Sequence, residues 1–489
     1  MTPTPSAPSR RPARSVVAVV LAAGKGTRLK SDRQKVLHDV CGRPALWHVV
    51  RAALAARPRK LVVVVHHGRE AVEETVRAWG LKAEVAFVDQ GTVGGTGHAV
   101  LAARQAVGEA DDLVVLAGDD PLVTGAHVRE LLATHRRTKA AATILTATLP
   151  DPTGYGRIVR EDRVLVDIVE EADASPEVRA IREVAAWPWA FRRAGLFEAL
   201  PRVDRNNRHR EQYLHRVFPL LRAQGGRLSV VPADFGGALG LNSRRGLALV
   251  NRVMRERLIA EHMEHGVTFV DPATTYVDVD VRIGRDAVIQ PLTFLQGSTR
   301  IGAGATIGPS SRIVDSVIGE GADVTFAVVR GARIGPGATV GPYASLRPGT
   351  VIEEGGKAGT FVEIKASRVG KGSKVPHLAY VGDAVIGRGT NIGAATVTVN
   401  YDGFDKHVTV IGDEVHIGSD TMLVAPVRSG KRAWTGAGSV ITKDVPAGAL
   451  AVERSEQRNV KGYDERKRAA RARGSRGDPG TSKTGEGRG

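Results

Sequence analysis

The chain has 489 residues, a hydrophobic content of 42% and a formal net charge of +17 at pH 7. Because a single hydrophobic core rarely serves more than about 300 residues, this length predicts two or three domains. The only cysteine, Cys41, excludes an internal disulfide bond, and no apolar run in the sequence is long enough to cross a membrane.

About half of the positive excess lies near the two ends of the chain. Residues 461–489 hold nine Lys or Arg against four Asp or Glu. Because the end segments are rich in Gly, Ser, Pro and Arg, we predict that residues 1–14 and 461–489 are disordered. A basic tail could contact anionic partners, but a solvated tail is the simpler interpretation and no nucleic-acid partner is expected. The first residues also lack the apolar core of a signal peptide, which favours a cytoplasmic protein.

The first predicted element is a strand at residues 16–23, VVAVVLAA, where β-branched residues are typical of a strand buried on both faces. Similar runs at 61–65 and 113–117 alternate with helical patterns. This alternation predicts a doubly wound α/β sheet, in which ligands bind at the carboxyl ends of the strands. The helical patterns lie at 45–55, 71–78 and 99–108.

Glycine-rich loops follow these strands. Gly24 and Gly26, in GKGTR, leave backbone amides free to approach a phosphate, and Lys35 adds positive charge. Asp119, in LAGDDP, comes just after a strand, where a carboxylate could hold Mg2+ on a triphosphate. The first loop alone could be an ordinary turn, since it is neither a Walker A motif nor G-x-G-x-x-G.

Residues 243–266 predict a single helix that separates two domains. Their apolar side chains follow helical spacing, and Gly266 is a plausible stop. At 1.5 Å per residue such a helix spans roughly 33 Å. Asn242, just before it, could simply cap the helix.

Beyond this helix, aliphatic residues return every six positions, usually followed by glycine. A six-residue period predicts a parallel β-helix, in which each coil has three short strands and the aliphatic side chains point inward. Polar residues on such a scaffold are functional candidates, notably His377, although a lone histidine is more often structural. The repeating positions are Ile283, Ile289, Leu295, Ile301, Ile307, Ile313, Val328, Ile334, Val340, Leu346, Ile352, Val369, Val375, Val381, Ile386, Ile392, Ile411, Ile417 and Leu423.

The motifs LAAGKGTR, KVLH, GTGHA, DPTGYGRI, FVEIK, KVPHLAY, NIGA and NYDG occur in this order. With them, the chain resembles the bacterial bifunctional GlmU family over roughly residues 16–460. The resemblance implies an α/β nucleotidyltransferase with a Rossmann-like mixed sheet, then a linker helix and a left-handed parallel β-helix of hexapeptide repeats, assembled as a homotrimer. The expected segments are a disordered N-terminus at 1–14, a nucleotidyltransferase (pyrophosphorylase) domain at 15–242, the linker helix at 243–266, an acetyltransferase β-helix at 267–460 and a basic disordered tail at 461–489.

For the first domain the resemblance implies a Mg2+-dependent uridylyl transfer. The phosphate of N-acetylglucosamine-1-phosphate attacks UTP and pyrophosphate leaves, with the protein supplying position and charge. Asp119 and Asn242 are the implied metal ligands. The implied contacts to UTP and the sugar are Leu21, Ala22, Ala23, Gly24, Lys35, Gln90, Gly95, Thr96, Gly118, Gly156, Glu170 and Asn242.

For the second domain the resemblance implies acetyl transfer from acetyl-CoA to glucosamine-1-phosphate. His377 is the implied general base and Glu363 its support, because the amine must lose a proton before it attacks. The implied sugar-phosphate contacts are Arg347, Lys365, Tyr380 and Asn391. The implied acetyl-CoA contacts are Ala394, Asn400, Tyr401, Ser419, Ala437 and Arg454.

Several residues of the first domain depart from the family pattern. Ala185 stands where the family has an asparagine for the acetamido sugar, and Trp187 where it has a flexible glycine. Gln212, His215 and Arg216 stand where tyrosine, threonine and aspartate are expected. Losing a hydrogen bond to the sugar costs on the order of 1 kcal/mol. We therefore expect weakened uridylyl transfer or an altered sugar specificity.

Three alternatives to a bifunctional enzyme remain. The chain could be an acetyltransferase only, with a vestigial or retuned nucleotidyltransferase domain. It could be another nucleotidyltransferase with a β-helix appendage, such as an ADP-glucose-forming enzyme, although the long repeat tract and the motif around His377 argue against this. It could also be a non-catalytic trimeric scaffold that binds sugar nucleotides.

Overall fold

The computed structural model describes residues 14–92, 94–205, 210–233 and 240–474. The chain forms two compact units, Met1–Gly356 and Lys357–Gly489. Nearly all of the N-terminal segment expected to be disordered, and residues 475–489 of the tail, lie outside the described residues.

The first unit contains a mixed sheet in the order β11-β7-β10-β6-β1-β4-β5. Neighbouring strands among β1, β4, β5 and β6 are parallel, whereas β10 runs antiparallel to β6 and β7. The strands of the first part of this unit are β1 Val16–Leu21, β2 Asp39–Val40, β3 Arg43–Pro44, β4 Lys60–Val65, β5 Glu84–Asp89, β6 Asp112–Ala117, β7 Ala142–Thr148, β8 Arg157–Glu161, β9 Val164–Val169, β10 Glu183–Arg192 and β11 Leu228–Ala233.

Helices cover both faces of this sheet. Val17 and Val19 of β1 join the core on one face, and Ala18 and Val20 join the core on the other. The predicted doubly wound sheet with a buried first strand is therefore confirmed. The helices are α1 Ala45–Leu54, α2 Arg69–Ala78, α3 Thr96–Ala102, α4 Arg104–Val107, α5 Gly125–Arg137, α6 Pro176–Arg179, α7 Arg193–Ala199, α8 Val217–Ala223 and α9 Arg244–Glu264.

Helix α9 follows the sheet and packs against the loops that contain Cys41 and Leu122. Ser243 caps it, since its hydroxyl accepts a hydrogen bond from the backbone N–H of Gly246 at 3.0 Å. Asn242 is therefore not the cap. Asn251 of α9 accepts from the backbone N–H of Cys41 at 3.0 Å, and Arg257 donates to the carbonyl of Leu122 at 2.7 Å.

The rest of the first unit is a stack of short parallel strands in three ladders, the pattern of a parallel β-helix. The first ladder is Thr268–Phe269, Val288–Ile289, Thr306–Ile307, Asp323–Val324 and Thr339–Val340. The second is Tyr276–Val277, Phe294–Gln296, Arg312–Val314, Val328–Arg330 and Ser345–Leu346. The third is Arg282–Ile283, Arg300–Ile301, Val317–Ile318, Arg333–Ile334 and Val351–Ile352.

The second unit has the same three-ladder construction, with parallel pairing throughout. One ladder is Lys357–Thr360, Lys374–His377, Asn391–Ile392, His416–Ile417, Trp434–Thr435 and Leu450–Ala451. Another is Glu363–Lys365, Tyr380–Gly382, Val397–Val399, Met422–Val424 and Val440–Ile441. The third is Arg368–Val369, Ala384–Ile386, Thr409–Ile411 and Val427–Ser429. Together with the mixed sheet, these ladders confirm the predicted fold class.

One repeat position was predicted wrongly. The six-residue count places Val328 inside the β-helix, but Val328 is 36% exposed and Val329 is fully buried. The chain takes two five-residue steps here, from Val324 to Val329 and from Val329 to Ile334, whose side chains are buried. Two adjacent valines fit the pattern equally well, and only strand pairing chooses which of them points inward.

Within the segment expected to be a disordered tail, Tyr463–Gly474 form helix α10. Its side chains from 463 to 473 are all exposed. The helix carries Arg466, Lys467 and Arg468 in its middle turn and two further arginines near its end.

Candidate active sites

A cleft of about 1060 Å³ opens at the carboxyl ends of the strands in the first unit. Its lining includes most of the residues that the sequence predicted for UTP and sugar binding: Leu21, Ala23, Gly24, Gln90, Gly95, Thr96, Asp119, Gly156, Glu170 and Asn242. Ala22 and Gly118 lie behind this lining. Ala22 is buried, and a side chain on Gly118 would come within 2.8 Å of the carbonyl of Leu21.

Lys35 connects the two residues predicted to hold a metal. Its ammonium donates to the side-chain oxygen of Asn242 at 2.8 Å and forms an ion pair with the carboxylate of Asp119. Lys35 approaches closely because Gly26 has φ +65° and no side chain, and a Cβ there would lie 2.7 Å from that of Lys35. The loop glycine therefore makes room for the lysine as well as exposing its own amide.

The oxygen groups gathered by Lys35 suit Mg2+. A carboxylate from Asp119 and an amide oxygen from Asn242 are hard donors, and Mg2+ is commonly held by few protein oxygens together with phosphates and water. Among the described residues, no group of three or more His, Cys, Asp or Glu comes together as a metal site. The cluster therefore fits a metal shared with a nucleotide better than a cage built from protein alone.

Asp120, beside Asp119, was not singled out from the sequence. It is buried, and burial together with the neighbouring charge of Asp119 raises its pKa well above the ordinary value. A side chain on Gly240 would come within 2.6 Å of the Asp120 carboxylate, so this glycine allows the close packing. In the sequence, Asp120 could have been recognised as the second aspartate of the LAGDDP motif.

The loop before α3 is shaped by Gly95. Gly95 has φ +107°, and a Cβ there would lie 2.3 Å from the carbonyl of Gln212. The amide of Gln90 donates to the carbonyl of Gly95 at 3.3 Å, and the hydroxyl of Thr96 accepts from the backbone N–H of Leu214 at 3.0 Å. These contacts hold the loop that contains the predicted UTP contacts Gln90, Gly95 and Thr96 against residues 212–214.

The predicted sugar end of the cleft contains the residues that depart from the family pattern. Ala185 and Trp187 both line it. The indole of Trp187 stacks on that of Trp189, with ring centroids 4.2 Å apart and planes 15° apart. At the same place the pairing of β10 with β7 is irregular between Ala186 and Trp189. The large ring therefore occupies a stable position in the cleft wall.

His215 also lines the cleft, and Arg216 follows it in sequence. His215 is buried with its Nδ1 3.4 Å from a carboxylate oxygen of Glu170, and its Nε2 has no hydrogen-bond partner among the described residues. Burial, reinforced by the charge of Arg216, lowers the pKa of His215 to about 3. Arg216 pairs with Asp173 at 3.4 Å, and Gln212 is buried and donates to the carbonyl of Leu200 at 2.7 Å.

In the second unit, the side chains of Asn400 and Lys365 meet at Asp383. The amide of Asn400 donates to Oδ2 of Asp383 at 2.5 Å, and the ammonium of Lys365 lies 3.5 Å from the same oxygen. Lys406 contacts Lys365. Lys365 and its neighbour Lys406 bring two basic side chains to this corner, which suits an anionic group such as a sugar phosphate. Asp383 and Lys406 were not singled out from the sequence, although both stand in the quoted GDA and NYDG regions.

His377 and Glu363 lie on neighbouring coils around one corner of the β-helix. His377 is exposed at the end of its strand, where it pairs with Thr360, and Glu363 pairs with Tyr380 on the next face. Asn391 pairs with Lys374 on the ladder that holds His377. Arg347 belongs to the first unit, where it is exposed directly after the strand Ser345–Leu346.

Four of the six predicted acetyl-CoA contacts, Ala394, Ser419, Ala437 and Arg454, follow one corner of successive coils. The carbonyl of Ala394 accepts from the N–H of Asp420 at 2.7 Å, and that of Ser419 accepts from the N–H of Gly438 at 2.9 Å. The guanidinium of Arg454 donates to the carbonyl of Ala437 at 3.1 Å. The corner is therefore continuous from Ala394 to Arg454. Tyr401 is exposed close by in sequence, with its hydroxyl bonded to the carbonyl of Gly403 at 2.6 Å.

The described part of the chain contains no helix that combines the length and the apolar character needed to cross a membrane.

Two protein-family models match the chain. Residues 18–217 match the MobA-like NTP transferase domain, and residues 328–428 match the GMPPB C-terminal domain. The first match covers most of the residues that line the cleft, and the second covers coils of the β-helix.

Relatives match both parts of the chain. The chain is 47% identical over 464 residues to the bifunctional protein GlmU of Streptomyces avermitilis, which covers 94% of this chain and 96% of the relative. It is 48% identical over 462 residues to that of Thermobifida fusca, covering 93% and 95%. It is 47% identical over 458 residues to that of Mycobacterium tuberculosis, covering 92% of each chain.

Proposed function

This chain belongs to the family of bifunctional GlmU proteins, and from that premise we infer that it makes UDP-N-acetylglucosamine, a precursor for the cell wall, in two steps. It acetylates glucosamine-1-phosphate with acetyl-CoA, and it then transfers a uridylyl group from UTP to N-acetylglucosamine-1-phosphate with release of pyrophosphate. The observation that carries this function is that 47–48% identity runs over 92–94% of the chain, so that it includes both the α/β domain and the β-helix.

For uridylyl transfer we propose that the cleft of the first unit is the active site. A phosphate oxygen of the sugar phosphate attacks the α-phosphorus of UTP, and the bond from that phosphorus to the pyrophosphate oxygen breaks. Lys35 lies where it can neutralise phosphate charge, and Gln90, Gly95 and Thr96 form the loop that would hold the base. When bound by Asp119 and Asn242, Mg2+ supplies further neutralisation of the triphosphate.

For acetyl transfer we propose His377 as the general base, supported by Glu363. The ammonium of glucosamine-1-phosphate loses its proton to His377, the amine nitrogen attacks the thioester carbonyl, and the carbon–sulfur bond breaks to release CoA. Lys365 would hold the phosphate, and Tyr380 and Asn391 the sugar. Asn400 and Tyr401 would lie near the thioester, and the corner from Ala394 to Arg454, with Ser419 and Ala437, would carry acetyl-CoA.

The decisive experiment assays the two half-reactions separately on one preparation. Free-thiol release with acetyl-CoA and glucosamine-1-phosphate reports the acetyl transfer. Pyrophosphate release with UTP, Mg2+ and N-acetylglucosamine-1-phosphate reports the uridylyl transfer. Binding of UTP and acetyl-CoA in a thermal-shift assay without either turnover would instead identify a non-catalytic scaffold.

A second candidate is an enzyme whose uridylyl transfer is weakened or takes a different sugar. Trp187 and Ala185 in the cleft wall favour it, because they place an indole and a methyl group where the family has a flexible glycine and an asparagine. Pyrophosphate release with N-acetylglucosamine-1-phosphate should then be below about 1 per second, the lower end of ordinary enzyme turnover. A turnover inside the range of about 1–1000 per second would contradict this candidate.

We also propose that the chain acts as a homotrimer. Exposed apolar side chains recur at one type of corner in the β-helix, where a non-glycine residue has positive φ. In the first unit the rings of Phe326 and Tyr343 lie side by side there, with centroids 5.6 Å apart and planes tilted by 44°. Such a repeated apolar edge suits packing against further copies of the same β-helix. The corner residues are Leu292, Phe326 and Tyr343 in the first unit, and Phe361 and Leu378 in the second.

We also propose that the protein is cytoplasmic and that each activity belongs to its own segment of the chain. UTP and acetyl-CoA are the substrates of cytoplasmic metabolism, which favours that compartment. We assign uridylyl transfer to residues 15–242, the link to 243–266 and acetyl transfer to 267–460. Expression of residues 1–266 and 243–489 as separate proteins, each assayed for both reactions, tests these boundaries.

A further inference from the structure

The corner formed by Gly382 and Asp383 touches three of the residues proposed to bind the substrates of acetyl transfer. The carboxylate of Asp383 meets the side chains of Lys365 and Asn400, and the space left by Gly382 is filled by Tyr380 and Asn400. Resting on the acetyl-transfer function proposed above, we propose that Gly382 and Asp383 are positioning residues, which hold Lys365, Tyr380 and Asn400 in a binding arrangement before the substrates arrive.

The backbone of this corner is held in place on several sides. The N–H of Gly382 donates to the hydroxyl of Thr398 at 2.7 Å, and that hydroxyl donates back to the carbonyl of Gly382 at 3.0 Å. The N–H of Asp383 donates to the carbonyl of Lys365 at 3.1 Å, and the carbonyl of Asp383 accepts from Thr409 at 3.2 Å. Asp383 has φ +50°, a strained conformation for a residue with a side chain, and these bonds maintain it.

A single oxygen of Asp383 serves both partners. Oδ2 accepts from the amide of Asn400 at 2.5 Å and lies 3.5 Å from the ammonium of Lys365. Both side chains of the ion pair are 19% exposed, so the contact is largely shielded from solvent. The carboxylate of Asp383 therefore fixes the ammonium of Lys365 and the amide of Asn400 relative to each other.

Gly382 contributes space instead of a bond. A Cβ at this position would lie 2.5 Å from the hydroxyl oxygen of Tyr380 and 2.8 Å from the amide nitrogen of Asn400. Both distances are shorter than real Cβ contacts, so any side chain here would displace the two polar groups. Gly382 and Asp383 therefore act on the same residues by different means.

Substitution of Asp383 separates positioning from other roles. An asparagine can present one oxygen to both Asn400 and Lys365, whereas an alanine presents none. We expect Asp383→Ala to raise the KM for glucosamine-1-phosphate about tenfold, which corresponds to about 1.4 kcal/mol, and to lower kcat as well. The KM and kcat of Asp383→Asn should stay within about threefold of the wild-type values. Asparagine keeps the accepting oxygen but not the charge, so this rescue would show that Asp383 acts by position and not by charge alone.

Asp413→Ala is the matched control, because Asp413 is also a corner aspartate of the second unit. It accepts from the backbone N–H of Arg388 at 2.9 Å and pairs with that side chain at 3.3 Å, away from the proposed site residues. Its kinetic constants should remain within about twofold of the wild type. Gly382→Ala should raise the same KM although the carboxylate of Asp383 is still present. If this variant fails to fold, the comparison of Asp383→Ala with Asp383→Asn still tests the positioning role.

Calorimetric titration of the full chain with glucosamine-1-phosphate, without acetyl-CoA, keeps this test independent of turnover. Weaker binding by Asp383→Ala and near-normal binding by Asp383→Asn support the positioning role even if the wild type fails to acetylate, which would overturn only the proposed function. Normal constants for Asp383→Ala, equal damage in both Asp383 variants, or equal damage in Asp413→Ala would each overturn the positioning role. So would a wild type that does not bind the sugar phosphate.

Discussion

At the scale of single residues, Lys35 has the clearest expected effect on one activity alone. Its ammonium contacts both Asp119 and Asn242, so its loss removes positive charge from the proposed triphosphate site. We expect Lys35→Ala to lower uridylyl transfer by about 100-fold or more, the usual scale for a preorganised charged group. Acetyl transfer should not change.

Lys60→Ala is a suitable control for this variant. Lys60 forms a pair with Glu84 at 2.8 Å, at the start of β4 and away from the cleft. Pyrophosphate release, measured for Lys35→Ala and Lys60→Ala, tests whether Lys35 takes part in uridylyl transfer. A Lys35→Ala enzyme with uridylyl transfer within threefold of the control would remove this lysine from the proposed mechanism.

His377 should affect only the other activity. As the proposed base, it accepts a proton from the amine before attack on the thioester. We expect His377→Ala to reduce acetyl transfer by about 100-fold or more, the usual contribution of general base catalysis. Thiol release from acetyl-CoA measures this, and pyrophosphate release should remain. His265→Ala, at the exposed end of α9, is the control, and a His377→Ala enzyme that keeps most of its rate contradicts the role.

His215 predicts a specific pH dependence of stability. Its folded pKa of about 3 lies below the unfolded value of about 6.5, so between these values the unfolded chain binds the extra proton. Stability from this residue is therefore complete above about pH 6.5 and is lost as the pH falls. At pH 5 the loss is about 2 kcal/mol.

Urea unfolding followed by tryptophan fluorescence at pH 7.5 and pH 5 measures this loss. The comparison is between the wild type and His215→Asn, which cannot take up a proton at this position. The difference in unfolding free energy between the two proteins should shrink by about 2 kcal/mol at the lower pH. An unchanged difference would mean that His215 is not held neutral.

At the scale of elements, the hairpin β2–β3, helix α9 and the first coil of the β-helix meet at Gly42. Gly42 has φ +84°, and a Cβ there would lie 2.5 Å from the carboxylate of Asp278. The carbonyl of Cys41 also accepts from the N–H of Val279 at 3.0 Å, and Arg43 pairs with Asp280. This glycine therefore allows the α/β part of the first unit to pack directly on its β-helix coils.

Gly42→Ala should destabilise the first unit through both strain and overlap. The positive φ costs about 1 kcal/mol, and the overlap with Asp278 adds about 1–3 kcal/mol. Gly80→Ala provides the control, since Gly80 has φ +58° but no atom within 4 Å of a built Cβ, and it should cost only the first amount. Equal urea midpoints for the two variants would show that Asp278 moves aside without cost.

At the scale of the whole molecule, the proposed trimer depends on the apolar corner of the β-helix. Replacing Phe326 and Tyr343 together by glutamate would place two charges on a surface proposed to be buried between copies. We expect the double variant to be monomeric in sedimentation experiments, because burying two carboxylates between copies is unfavourable. Val164→Glu, at an exposed position of the β9 strand, should leave the assembly unchanged. A double variant that remains trimeric would exclude this surface.

Much of the architecture was predictable because its signals are local. The β-branched run of β1 and the six-residue repeat each describe a backbone period, which depends on neighbouring residues only. Glycine positions such as Gly95 could also be recognised from a motif. The same local signals failed at Val328, because two adjacent valines carry the same preference and the number of residues in a corner depends on the coils above and below.

The sequence alone thus determined the fold class, the order of the two halves and the residue types available for each reaction. Tertiary structure decided which of them meet. Asn242 faces Lys35 instead of capping α9, although the two lie 207 positions apart. Asp383 joins Lys365 and Asn400, and His215 is buried beside Glu170. Contacts of this kind link distant parts of the chain, and burial, which sets their pKa values and strengths, exists only once the chain is folded.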